Sequence, residues 1–130
     1  FDFANRRAFA NNPDIQQPKF HGVFDFVAEN SFLPLLIGQA NELSVELILV
    51  RVSARPMDGG TSNEPDALAR YTSDLSDYLA TNGVRYIDMT GHPDIDAGMY
   101  YDGYHLINRY RSFYTEIFSE LLLPDRGDNP

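Results

Sequence analysis

The sequence predicts an α/β domain built on a parallel sheet. Three observations predict it. Helix, strand, helix, strand and helix signals alternate along residues 31–123. Residues 45–52 (VELILVRV) are almost continuously aliphatic, the habit of a parallel strand covered on both faces. A strand–helix–strand order in one sheet also calls for right-handed crossovers.

Residues 1–30 form an irregular N-terminal arm. Pro13 and Pro18 break any helix, and Phe1, Phe3, Phe9 and Phe20 point to an arm packed on the domain or on a partner. Residues 22–28 (GVFDFVA) fit either a short strand or a helix running to Glu29. Ser31 is an N-cap for the first clear helix, Pro34 suits its first turn, and Leu33, Leu36, Ile37 and Ala40 share a face.

The aliphatic strand follows, and PMDGGTSN (residues 56–63) makes a loop. Pro65 opens a second helix with Leu68, Tyr71, Leu75, Tyr78 and Leu79 at helical spacing, and Asn82-Gly83 stops it. VRYIDM (residues 84–89) is the second strand. Residues 90–103 are a loop rich in Gly, Asp and Tyr. A last helix carries Leu106, Ile107, Tyr110, Phe113, Tyr114, Ile117, Phe118, Leu121 and Leu122 as far as Pro124. Residues 124–130 are a polar tail. Two strands are few for a parallel sheet, so the arm or further chain is expected to complete it. The start at Phe1 without an initiator Met points the same way, to a piece of something larger.

Composition removes several classes of function. With 10 basic and 19 acidic side chains, the net charge of -9 argues against a nucleic-acid partner, which is held chiefly by Lys and Arg on phosphates. The absence of Cys removes disulfides, thiol catalysis, iron–sulfur clusters and Cys-ligated zinc. No apolar run reaches the ~20 residues of a membrane span. There is no Gly-x-Gly-x-x-Gly and no phosphate loop, so no cofactor is expected.

Ligands of open parallel sheets bind at the carboxyl ends of the strands. Two segments leave such ends: residues 51–56 (RVSARP) and residues 88–105. The second holds His92, Asp94, Asp96, Asp102 and His105. In Asp102-Gly-Tyr-His105 the Asp can accept from one ring nitrogen and leave the other as a general base. The same spacing is also met when Asp102 merely caps the last helix and His105 sits in its first turn. His92, Asp94 and Asp96 could offer an imidazole and two carboxylates to a divalent ion, but the calcium-loop pattern fails, with Met99 at the Gly position and His105 at the Glu position. Solvated turn carboxylates are the preferred reading, and no metal is assigned.

Arg51, set among aliphatics, needs a carboxylate, a carbonyl or a ligand. Pairing with Asp88 is the structural reading, while Arg51 and Arg55 facing a substrate at the sheet edge is the functional one. Ser53 lacks the Gly-x-Ser-x-Gly elbow, so no nucleophile is visible. Tyr100, Tyr101 and Tyr104 could stack on sugar or protein, although Tyr stripes also serve packing.

Three stretches carry a resemblance. SFLP followed by ELILVRVSARP, YTSDLSDYLATNGVRYIDMTG, and MYYDGYHLINRYRSFYTEIFSELL together resemble the C-terminal half of SGNH/GDSL hydrolases, especially the branch linked to acylation of bacterial cell-surface polysaccharides. The resemblance implies a three-layer α/β/α, flavodoxin-like fold, of which residues 31–123 are a part. It implies Asp102 as the orienting member and His105 as the base of a Ser-His-Asp triad acting on an acyl ester of carbohydrate. An extracytoplasmic location follows from it alone. Arg51, Arg55, Tyr101 and Tyr104 are the candidate substrate-binding residues by their own positions in the two segments. The family usually has Asn and Gly where this chain has Ile107 and Tyr110. Its Gly-Asp-Ser nucleophile block, oxyanion Gly and Asn lie upstream of the matched stretch and do not occur here. The chain alone is therefore expected to be inactive, its partner being the missing N-terminal half or another chain. The alternative is a non-catalytic binding or assembly module that uses the Tyr-rich loop.

Overall fold

The structure, a computed structural model, describes residues 20, 22–57 and 64–123. The arm's Phe1, Phe3 and Phe9, loop residues 58–63 and the tail 124–130 lie outside the described residues. The described chain divides into two units, one of residues 20–51 and 64–88, the other of residues 52–57 and 89–123.

The first unit contains helix α1 (Leu33–Leu43), strand β1 (Ile48–Arg51), helix α2 (Asp66–Thr81) and strand β2 (Arg85–Asp88). The hydroxyl oxygen of Ser31 accepts from the Leu33 N–H at 3.2 Å and its own proton goes to the Ala28 carbonyl. That satisfies one of the donors a helix start leaves over. α1 ends where Ser44 turns left-handed, at φ 54, and the Val45 N–H returns to the Ala40 carbonyl. α2 stops by the same device. Gly83 takes φ +70 and the Val84 N–H donates to the Leu79 carbonyl at 2.9 Å. A side chain at Gly83 would be strained whatever the space around it, because only Gly enters that region without a Cβ penalty.

β1 and β2 pair in parallel, from Ile48 opposite Arg85 to Arg51 opposite Asp88. Ile37, Leu79 and Val84 are buried together, with Leu33, Leu47, Leu49, Leu75, Tyr78 and Tyr86 packed against them. Leu79 is wholly enclosed, a burial that contributes roughly 1.5–3 kcal/mol. The mixed α/β character and the parallel pairing agree with the sequence reading. Two details differ from it. The strand is shorter than its aliphatic run, since Val45 and Val52 lie outside it and are exposed. Leu36, expected on the inner face of α1, is 46% exposed, so that face narrows to Leu33, Ile37 and Ala40.

Residues 23–27 have no strand partner among the described residues, and a 3-10 turn follows at Ala28–Asn30. The alternation that hinted at a strand is real as burial. Phe24 and Phe26 are half-buried while Val23, Asp25 and Val27 are exposed, and Phe26 packs on the rings of Tyr71 and Tyr78. Side-chain packing of Phe26 on α2 holds this segment where a sheet ladder was one of the two expectations.

The second unit buries Met89, Ile95, Met99, Tyr100, Ile107 and Ile117. It consists of turns, a 3-10 turn at Ala97–Met99, a short hairpin, a 3-10 turn at Asn108–Tyr110 and helix α3 (Arg111–Leu122). The last helix thus begins later than its apolar spacing predicts. Leu106 and Ile107 fit the helical period, but the Ile107 N–H is committed to the Met99 carbonyl at 2.8 Å and Leu106 pairs with Tyr100. Among the described residues, no helix is long and apolar enough to cross a membrane.

Candidate functional site

The turn of residues 102–104 joins Tyr100-Tyr101 to His105-Leu106 in a short hairpin. Met99 faces Ile107, Tyr100 faces Leu106 and Tyr101 faces His105 in one antiparallel register, with the Tyr101 N–H on the His105 carbonyl at 3.0 Å. The Asp102 side chain closes the turn. Its Oδ1 accepts from the N–H groups of Tyr104 and His105, both at 2.8 Å.

The same carboxylate meets the imidazole. Asp102 Oδ2 lies 2.8 Å from His105 Nδ1. A carboxylate can only accept, so Nδ1 carries the proton of this contact. In the neutral ring Nε2 then carries the lone pair, on a side chain that is 65% exposed, with no partner among the described residues. Partial burial alone would push the Asp102 carboxyl up, but the two N–H donors and the imidazole outweigh it and hold the group below its ordinary value. Asp102 therefore stays anionic opposite the ring. It caps its own turn and not the last helix, which starts at Arg111, and His105 lies before that helix. The simple helix-capping interpretation is overturned by this late start.

Tyr101 stacks on His105, with ring centroids 5.4 Å apart and planes 20° from parallel. Tyr104 is 55% exposed near the turn's tip. The sequence named both tyrosines, but Tyr101's position against the imidazole was missed. The available signal was the Asp-Gly dipeptide, which marks a turn here but does not by itself set residue 101 opposite residue 105.

The hairpin is anchored from beneath. The Tyr100 hydroxyl, on a residue 1% exposed, donates to the Ser53 carbonyl at 2.9 Å, and the Ser53 N–H donates to the Tyr114 hydroxyl at 3.2 Å. Burial pushes the Tyr100 phenol up to about 12. Ser53 itself is buried, its hydroxyl turned to the Ala54 carbonyl. Arg55 is buried as well. Its N–H donates to the Gly103 carbonyl at 3.0 Å and its Nε to the Ala97 carbonyl at 3.3 Å, so it braces the turn that carries Asp102.

Arg51 belongs to the other unit. Its guanidinium donates to Asp88 Oδ2 at 3.0 Å and to Glu64 Oε1, which realises the expected Asp88 pairing and adds a second carboxylate. In the loop before the hairpin, His92 Nδ1 accepts the Asp94 N–H at 3.3 Å and Asp96 Oδ1 accepts the Gly98 N–H at 2.6 Å. These atoms serve the loop's own backbone. Among the described residues, no three His, Asp or Glu side chains converge as a metal site would require.

Comparison with family models, with curated proteins and with solved structures finds no match to this chain.

Proposed function

We propose that this chain is the C-terminal portion of an SGNH-type serine esterase or acyltransferase, acting on acyl esters of cell-surface carbohydrate outside the cytoplasm, within a three-layer, flavodoxin-like domain. The observation that carries the reading is the contact of Asp102 Oδ2 with His105 Nδ1 at 2.8 Å, on an imidazole that is 65% exposed. The parallel β1–β2 pairing, with the aliphatic residues of β1 on both of its faces, supports membership of a wider sheet.

In this reading Nε2 of His105 removes the proton from a serine hydroxyl supplied by chain outside residues 1–130, as the oxygen attacks the ester carbonyl. Asp102 holds the imidazole in the tautomer that leaves Nε2 basic and stabilises the cation that forms. The imidazolium then returns the proton to the departing alcohol, leaving an acyl-serine for water or an acceptor hydroxyl to discharge. The oxyanion donors also come from outside this chain. Arg55 acts on the turn and not on the ester.

The test is acyl-ester turnover by the complete protein. His105→Ala is expected to reduce kcat/KM by roughly 10²–10⁴, the range that general-base removal gives. Undiminished turnover would sink the reading. A second reading, a non-catalytic module binding sugar or protein, draws on the exposure of Tyr104 and Tyr101. It is favoured if Tyr104→Ala abolishes binding to an immobilised glycan while His105→Ala leaves the complete protein's behaviour unchanged.

A further inference from the structure

Tyr101 touches His105 twice, once through the backbone and once through its ring. Its N–H donates to the His105 carbonyl, and its ring lies nearly parallel to the imidazole. Both contacts have one cause. The two residues are directly opposed in the hairpin, and opposed residues of an antiparallel pair put their side chains on the same face within contact distance.

The Asp102 contact alone does not fix the imidazole. The χ2 torsion of histidine is broad and roughly two-fold, so a ring that is 65% exposed can swing away from its carboxylate or turn over. Turning over would put a carbon where Nδ1 now meets Asp102. A flat aromatic surface against one face restricts that rotation without using either ring nitrogen. Tyr101 supplies such a surface, and Arg55 and Tyr100 hold the hairpin from below.

We infer that Tyr101 is a positioning residue: its stacked ring holds the His105 imidazole in the plane in which Nδ1 meets Asp102 and Nε2 faces outward. The effect of this on turnover rests on the hydrolase reading, whereas the effect on the ring does not.

The experiment is side-chain ¹H–¹⁵N NMR of histidine-labelled protein near neutral pH, with His105 assigned by its loss in His105→Ala. The wild-type protein is expected to show ring contacts between Tyr101 and His105, upfield-shifted His105 ring protons, and the Nδ1–H tautomer. Tyr101→Phe should keep all three. Tyr101→Leu should lose the upfield shift and give mixed tautomers while the amide signals of Leu106 and Ile107 persist. Retention of the Nδ1–H tautomer in Tyr101→Leu would overturn the inference. If that variant disturbs the hairpin amides, the wild-type spectrum decides alone, and absence of a Tyr101–His105 ring contact overturns the inference.

In the complete protein, Tyr101→Leu is further expected to lower kcat about ten- to a hundred-fold with KM little changed. If His105→Ala leaves turnover intact, the hydrolase reading fails and the NMR result for Tyr101 still stands.

Discussion

Asp102 divides its carboxylate between two tasks: Oδ1 receives the N–H groups of Tyr104 and His105, and Oδ2 faces Nδ1 of His105 at 2.8 Å. One side chain thus closes the turn and offers the imidazole its carboxylate partner. A substitution there is felt in both.

The first prediction concerns acid. The folded Asp102 carboxyl lies below its unfolded value, so its stabilisation is fully present above the unfolded pKa and is lost as pH falls through the folded one. The amide proton shifts of Tyr104 and His105 should titrate together, with a midpoint under the ordinary carboxylate range. In Asp102→Asn that step should vanish. A midpoint at or above the ordinary carboxylate value would contradict the assignment.

The second concerns base. Tyr100 is neutral in the fold up to about 12, whereas an unfolded tyrosine ionises near 10, a value typical of exposed phenols. The raised folded pKa makes this stabilisation complete below pH ~10, and it is lost as pH rises toward the folded value. Denaturant unfolding should show stability falling across that window. Tyr100→Phe should flatten the fall and cost about 1–3 kcal/mol at neutral pH, because the Ser53 carbonyl loses its donor. Equal alkaline slopes in the two proteins would refute this.

The third concerns Arg51, which joins Asp88 and Glu64 beside the β1–β2 pair. Arg51→Met removes the cation from two partly buried carboxylates and should cost about 1–3 kcal/mol, between the values of exposed and buried pairs. Arg51→Lys should recover only part, since one ammonium cannot reproduce a forked contact. Unchanged melting with lost ester turnover would instead place Arg51 on a substrate.

The helices and the parallel pair were legible because their signals are local. Ser31 with Pro34, Pro65 with Asn82-Gly83, and the aliphatic run at residues 45–52 each act within a few residues. The start of the last helix was not, because Leu106 and Ile107 satisfy a helical period while their backbones pair with Tyr100 and Met99. Periodicity reports which side chains seek burial, not which carbonyl takes each N–H. The Asp102–His105 contact could be read from spacing. The Tyr101 stack depends on a hairpin register that the Asp-Gly dipeptide marks as a turn but does not set, and Arg55 became a brace only through the distant Gly103 and Ala97 carbonyls.

The central claim is that His105 activates a serine outside residues 1–130. The most direct measurement is labelling of the complete protein with a serine-directed fluorophosphonate, with the adduct located by mass spectrometry. One labelled serine is expected, outside residues 1–130, modified much more slowly in His105→Ala. No adduct, or an adduct formed at the same rate without the imidazole, would contradict it.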